Sequence, residues 1–208
     1  VSDMSYRIVV DSCGEFTEEM AKDSHFVHAA LNLEIDGNHF VDDETFDRLR
    51  FLDLVEKSPN CPKSSCPSPE VYRSAFDCGA DHLYAVTLSA ELSGSYNSAV
   101  LGQNLYLEDH PDAKIHVFNS CSASVGETLL AKKIQECEEA GMEFEEVIKA
   151  VEAYQAERQT FFVLESLDHL RKNGRLSAVK AFVASTLNIK PVMEGNKHGI
   201  IEQAGQAR

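Results

Sequence analysis

Short apolar runs alternate with helical stretches along residues 1–159, and this alternation constrains the fold more than any other feature of the sequence. The runs cover residues 7–11, 83–88 and 115–118. Each is short, rich in β-branched or aromatic residues, and followed by a polar turn, as in a buried strand. Strands that are apolar throughout belong to parallel sheets covered on both faces. The alternation therefore predicts an α/β domain in which helices cover both faces of a parallel sheet.

Helices are predicted between these runs. Thr17 precedes two glutamates, a pattern typical of an N-cap and an acidic first turn. Further helices are expected over residues 96–106 and 126–139, and another from Ser68, where Pro69 takes the first helical position. Apolar residues recur at helical spacing in two stretches. They are Leu130, Ile134 and Cys137 in the first, and Phe144, Val147, Ile148 and Val151 in the second.

The chain changes character near Gln159, and a domain boundary is predicted there. Residues 1–159 are assigned to the parallel-sheet domain, and residues 160–208 to the start of a second, smaller α/β domain whose remainder is absent. Residues 161–164 are expected to form one more buried strand, and no strand or helix is expected to close the chain. Residues 31–40, which contain Asp36-Gly37, predict an edge hairpin.

Composition and charge exclude several classes of protein. A net charge of −15 argues against general nucleic-acid binding, which needs excess Lys and Arg. No apolar run approaches the roughly 20 residues of a membrane-spanning helix, and no secretory signal is expected. The six cysteines are scattered without a CxxC pair. Reduced thiols in a cytoplasm are therefore expected, and neither a metal site nor a cofactor is predicted.

The loops that follow the predicted strands are rich in hydroxyl groups. In an open parallel sheet, ligands bind where strands end and helices begin, and a helix N-terminus favours an anion. These loops are residues 11–14, 89–95 and 119–120. Their serines either donate to a bound oxyanion or simply cap the helices that follow. Because several such loops should meet at one sheet edge, an anion site is predicted there.

Two further segments are candidates for binding. Three prolines stiffen residues 62–69, so Ser64 and Ser65 lie on a rigid arm that is either a preorganised contact or a structural connector. A basic cluster in this acidic chain either meets a phosphate or an acidic partner, or forms a solvated face. Its members are Arg171, Lys172, Arg175 and Lys180.

Six motifs in order resemble one family. They are Ile8-Val-Val-Asp-Ser12, Pro62-x-Ser-Ser-x-Pro-Ser-Pro69, Leu88-Ser-x-x-Leu-Ser-Gly-Ser-Tyr-x-Ser-Ala99, Asn119-Ser120, Leu167-x-x-Leu-x-x-x-Gly-Arg-Leu-Ser177 and Ile189-Lys-Pro191. From about Tyr6 onward the sequence is similar to the DegV family, the fatty-acid-binding subunits of bacterial fatty acid kinase.

This resemblance implies a two-domain α/β fold that binds a long-chain fatty acid, such as palmitate, between the domains. It implies an apolar tunnel for the tail, serine hydroxyls and main-chain amides for the carboxylate, and phosphorylation of the acid by a separate ATP-binding kinase subunit. Arg175 would serve phosphate transfer with that partner, and transient membrane contact is compatible with the role. The implied head-group residues are Ser64, Ser65, Ser93, Gly94 and Ser95.

Four positions depart from the family pattern, and the family is longer than this chain. Ser64 stands where Thr is usual, Cys66 where Gln, Asn119 where Asp, and Asn173 where Gly. Family members continue past Arg208, where a histidine near the head group is expected.

Two other functions remain open. A serine hydrolase would use Ser93, although Ser93 is not in a G-x-S-x-G elbow and no His or Asp partner can be assigned. Gly94 belongs to neither a P-loop nor a G-x-G-x-x-G motif, so no nucleotide site is indicated. An α/β interaction module without a small ligand is the other alternative.

Overall fold

A computed structural model describes residues 5–176 and 190–207. No helix within these residues is long and apolar enough to cross a membrane. The helices there are α1 (Glu18–Lys22), α2 (Arg48–Lys57), α3 (Pro69–Phe76), α4 (Ser95–Asp109), α5 (Val125–Glu139), α6 (Phe144–Glu157) and α7 (Asp168–Lys172). The strands there are β1 (Tyr6–Asp11), β2 (Phe26–Ala29), β3 (Asn32–Ile35), β4 (Asn38–Val41), β5 (Lys63–Ser65), β6 (His82–Thr87), β7 (Lys114–Asn119), β8 (Thr160–Phe162), β9 (Lys190–Gly195) and β10 (Ile201–Ala207).

The main sheet has the order β2-β1-β6-β7, with every neighbouring pair parallel. β1 is interior, and Ile8 pairs with Phe26 on one side and Tyr84 on the other. The three predicted strands β1, β6 and β7 are confirmed. β2 was not predicted, because its four residues include the polar His28 and form no continuous apolar run.

Both faces of this sheet are covered, as predicted. Successive side chains of β1 point to opposite faces, so Val10 joins one apolar cluster and Val9 the other. The first cluster contains buried residues of α5 and α6, and the second contains buried residues of α3 and α4. The helices contribute apolar residues at helical spacing, which pack against the apolar residues of the strands.

The predicted helix starts agree with the structure to within a residue. Thr17 caps α1, and its hydroxyl accepts the Met20 amide at 3.3 Å. Pro69 takes the first position of α3 after Ser68. α4 extends to Asp109, beyond the predicted residue 106.

A small antiparallel sheet, in the order β4-β3-β5, lies beside the main one. The predicted hairpin is its β3–β4 unit, where Asp36 and Gly37 have φ values of 48° and 75°. Two positive φ values in a two-residue loop fit the twist of a hairpin. β5 lies in the first half of the proline-rich arm, and Ser64 pairs with Leu33 of β3.

The third sheet, β10-β9-β8, is antiparallel and corrects two predictions. The prediction of a buried strand over residues 161–164 is wrong. The strand covers only Thr160–Phe162, and Phe161 is 55% exposed at the edge of the sheet. The expectation that no strand closes the chain is wrong, since β10 pairs along β9. Its polar sequence has little apolar alternation, so only pairing with β9 defines it. The boundary between residues 159 and 160 remains a prediction.

Candidate functional site

Asp11 ends β1 and connects the loops at the carboxyl end of the parallel sheet. Its side chain is fully buried. Oδ2 accepts hydrogen bonds from the Leu88 amide at 2.8 Å and the Ser95 hydroxyl at 2.7 Å, and Oδ1 accepts one from the Cys13 amide at 3.1 Å. Bonds to a charged acceptor are stronger than neutral ones. One carboxylate therefore sets the position of the loop after β6 and the start of α4.

Ser95, the first residue of α4, lies buried beneath this site. The Tyr72 hydroxyl, on α3, is 2.6 Å from the Ser95 hydroxyl, and both side chains are fully buried. Burial raises the pKa of the Tyr72 phenol, so Tyr72 keeps its proton and can donate. The Ser95 amide donates to the Ser93 hydroxyl at 3.2 Å. Both polar groups of Ser95 are thus engaged within the protein.

Ser93 and Gly94 are the accessible part of the same loop. The amides of Leu92 and Ser93 both donate to the Ser89 carbonyl, at 2.9 and 3.1 Å, which folds the loop into a tight turn. Ser93 is half-buried and Gly94 exposed. Gly94 is the N-cap of α4 and supplies no side-chain cap. The first turn of a helix has amides without intrahelical partners and a partial positive charge, which suits an anion.

The proline-rich arm lies against this helix start. The Ser98 hydroxyl on α4 donates to the Pro67 carbonyl at 2.5 Å. A Cβ atom placed on Gly94 would lie 3.3 Å from the Cys66 sulfur. The structure thus brings the two predicted serine loops side by side. Ser64 and Ser65 are both exposed on β5, and because adjacent strand residues point to opposite faces, only one of them can face the Ser93 loop.

The turn after α7 contacts both loops. Asn173 Nδ2 donates to the Pro62 carbonyl at 3.1 Å and lies 3.2 Å from the Cys61 sulfur. Arg175 Nε donates to the Leu92 carbonyl at 3.3 Å. The predicted Arg175 therefore lies at the edge of the serine loops, with two of its five N–H groups used in bonds to carbonyls.

Asn173 and Asn119, two of the four residues that depart from the expected family pattern, both fit the local backbone. Asn173 has φ −89°, which any residue adopts, and Gly174 takes the left-handed conformation with φ 75°. Asn119 Oδ1 accepts the amides of Ala90 and Cys121, each at 3.1 Å. In the basic cluster, Arg171 pairs with Asp168 at 3.0 Å on an exposed surface. The predicted cluster member Lys180 and the motif residues Ser177 and Ile189 lie outside the described residues.

The β9–β10 turn packs onto the same loops from the other side. The buried Ser89 hydroxyl donates to the Gly199 carbonyl at 2.7 Å. The Thr160 hydroxyl is 2.8 Å from that of Ser122. The second unit is thus joined to the strand-end loops through β8 and through the β9–β10 turn.

A cavity of about 570 Å³ lies near this junction, and its lining includes Tyr96 in the first turn of α4 and Asn119 at the end of β7. β7, α6 and the β9–β10 turn line it, with polar groups that include His116, Glu152, Arg158 and Lys197. None of the predicted head-group residues lines it. The cavity therefore adjoins the loops of the anion site without including the predicted head-group serines.

Spacing in the sequence indicated no metal site, yet folding brings Asp11, Cys13 and Glu127 together. One ligand atom from each lies within 4.8 Å of the other two. Glu127 is fully buried on the first turn of α5. Sequence reasoning missed Glu127 and Tyr72, because helix residues far apart in the chain carry no local motif. The signal for Asp11 was an acid directly after an apolar strand.

No geometry favours a hydrolase at Ser93. Its hydroxyl accepts the Ser95 amide, and no hydrogen bond among the described residues joins it to a histidine or a carboxylate. A serine nucleophile needs an adjacent base to remove its proton.

Comparisons with known proteins agree with this architecture. A family model described as "Uncharacterised protein, DegV family COG1307" matches residues 5–208. A DegV domain-containing protein of Streptococcus pneumoniae is 39% identical over 207 residues, 99% of this chain and 73% of that protein. A DegV family protein from Ruminococcus gnavus, refined with vaccenic acid, is 56% identical with a TM-score of 0.96, over 100% of this chain and 74% of that one. The Streptococcus pneumoniae fatty acid kinase B3 protein, loaded with linoleic acid, is 38% identical with a TM-score of 0.87, over 99% of this chain and 73% of that one.

Proposed function

Because this chain belongs to the DegV family, we propose that it binds one long-chain fatty acid between its two α/β units. The carboxylate would meet the loops of Ser64 and Ser93, and a partner kinase subunit would phosphorylate it with ATP. The observation that carries the proposal is that three segments meet at the first turn of α4. They are the proline-rich arm, the Ser93 loop and the turn of Arg175.

The head group is accommodated by neutral donors and a helix start. A carboxylate taken out of water needs hydrogen-bond donors, because an unpaired buried charge is very costly. Ser64 and Ser93 offer hydroxyls, and Gly94 offers a main-chain amide at the positive end of α4. Ser95 contributes by holding the loop, since its hydroxyl is bonded to Asp11.

The tail is accommodated by apolar surface of the second unit. Phe161, Val163 and Leu164 are exposed by 55%, 48% and 39%, although all are large and apolar. We place the acyl chain against this stretch, where each covered methylene contributes about 0.8 kcal/mol. Vaccenic and linoleic acids, carried by two of the similar structures, are long enough to gain from such a surface.

The partner would approach on the side of Arg175. Its planar guanidinium can hold a phosphate by two parallel bonds, a geometry that Lys cannot reproduce. The role of the chain is then to hold the acid with its carboxylate accessible, and the kinase subunit supplies ATP and the phosphoryl transfer.

Titration of the delipidated protein with palmitate, and with hexadecanol as the matched control, tests the proposal. Palmitate should bind, and hexadecanol should bind far more weakly because it lacks the carboxylate that the serine loops recognise. Native mass spectrometry of freshly purified protein should also record an added mass of a long-chain fatty acid. Binding of neither compound and no lipid mass would point to an interaction module without a small ligand.

A further inference from the structure

Glu127 is a buried acid without a conventional partner. It is 0% exposed on the first turn of α5. Neither carboxylate oxygen accepts a hydrogen bond from a nitrogen or hydroxyl donor of the described residues, and the Cys13 thiol beside it is only a weak donor. An ionised carboxylate left in this condition would be very costly. The polar atoms within reach are those of Asp11 and Cys13, so two acidic groups share one small buried space.

The surrounding groups favour the neutral acid. Burial, followed by the charge of Asp11, raises the pKa of Glu127 well above its usual range. Burial likewise raises the pKa of the Cys13 thiol and of the Tyr72 phenol, so these two neighbours of the Asp11–Glu127 pair also favour their neutral forms. Arg158 is a cation whose charge reaches Glu127, but its guanidinium donates to the Ser120 carbonyl and the Thr160 hydroxyl.

We propose that Glu127 is a positioning residue that stays protonated and donates a hydrogen bond to the Asp11 carboxylate. The two carboxyl groups then share one proton beneath the head-group loops. Asp11 holds the Leu88 amide and the Ser95 hydroxyl, and through Ser95 the turn that presents Ser93. Loss of the shared proton would place two negative charges under that turn. The effect on ligand binding rests on the proposed function, whereas the effect on stability does not.

A metal ion bound by the same three side chains is the competing explanation, and the geometry favours it less. Asp11 already accepts three hydrogen bonds. An ion would also need a Cys13 thiolate and an ionised Glu127, the two forms that burial disfavours. One proton satisfies both carboxyl groups with no further ligand.

Glu127→Gln tests the proposal, because glutamine keeps the shape and can donate to Asp11 but cannot ionise. The folded wild type retains a proton that the unfolded chain loses above its ordinary pKa of 4.5. Wild-type stability should therefore fall with rising pH relative to the variant, by up to about tenfold in the unfolding constant per pH unit. Urea unfolding between pH 5 and 9 measures this. Glu139→Gln, at an exposed position on the same helix, should show no such trend.

A wild-type stability that rises with pH relative to the variant would overturn the proposal. A metal site would make Glu127→Gln less stable at pH 8, and elemental analysis of the wild type would find a bound ion that the variant lacks. A difference that does not change with pH would overturn it as well. Infrared difference spectra of the wild type, which should contain a protonated carboxyl at neutral pH, decide the question if the variant does not fold. Palmitate affinity should weaken at alkaline pH in the wild type only; no palmitate binding at any pH contradicts the proposed function and leaves the stability result standing.

Discussion

Arg175 Nε donates to the Leu92 carbonyl at 3.3 Å, across 83 residues of sequence. This bond sets the guanidinium against the turn that presents Ser93, one residue away from Leu92. The head-group serines belong to the first unit, whereas Arg175 follows β8 and α7. In the proposed complex, the first unit would therefore hold the carboxylate, and Arg175 would meet the phosphate transferred to it.

Replacing both Ser64 and Ser93 by alanine should weaken fatty-acid binding by about 2–5 kcal/mol. Each lost hydrogen bond to a charged group is worth about 1.5–3 kcal/mol. Isothermal titration with palmitate measures the loss, and circular dichroism verifies the fold. Ser65→Ala is the matched control on the same strand, since Ser64 and Ser65 point to opposite faces of β5. Unchanged affinity in the double variant would remove these serines from the site.

Arg175→Ala should leave palmitate affinity within about tenfold, roughly 1.4 kcal/mol, yet strongly reduce acyl-phosphate formation by the kinase subunit. Arg175→Lys should rescue little, because an ammonium group cannot form the bidentate pair. Arg171→Ala, at an exposed ion pair on α7, serves as the control. A normal phosphorylation rate for Arg175→Ala would reduce Arg175 to a structural contact with Leu92.

Gly199→Ala should separate the β9–β10 turn from the strand-end loops. Its Cβ would lie 2.1 Å from the Ser89 hydroxyl and 2.9 Å from Cys121 Cα, and the residue has φ 81°. Gly37→Ala is the matched control, since Gly37 has φ 75° and open space around it. The control should lose about 1–2 kcal/mol of stability through backbone strain alone, and Gly199→Ala should lose clearly more. Equal urea midpoints would mean that the turn shifts away without cost.

Tyr72→Phe should destabilise the protein by about 1–3 kcal/mol, because it leaves the buried Ser95 hydroxyl without its donor. Thermal and urea unfolding measure the effect. Tyr106→Phe removes a hydroxyl outside the Asp11 network and should change stability less. The same size of loss in both variants would mean that the Tyr72–Ser95 bond contributes nothing particular to this site.

The sequence predicted the main domain well, because its strands and helices have strong local signals. The apolar runs of β1, β6 and β7 and the stripes of α5 and α6 each indicate one element over a few residues. Thr17 and Pro69 mark helix starts by capping chemistry that depends only on neighbours. β2 and β10 carry no such signal, since each is defined by its pairing partner.

The sequence predicted which loops form the candidate site but not which side chains contact each other within it. Hydroxyl-rich loops after parallel strands indicate an anion site by their position alone. The contacts that organise the loops join Asp11 to Ser95 and Asn173 to Pro62, pairs 84 and 111 residues apart. The sequence separation of such pairs gives no indication that they are in contact. Glu127 was overlooked for the same reason, since an acid in a first helical turn is ordinary until its burial is known.

The placement of β1 has a consequence for synthesis on the ribosome. β1 can pair with β2 soon after both emerge, but its other edge must wait for β6. Asp11 meanwhile lacks the Leu88 amide and the Ser95 hydroxyl. Pairings between distant segments form late, so the nascent chain displays an open apolar strand edge until β6, which ends at Thr87, has emerged. Chaperones that recognise extended apolar segments would act during that interval.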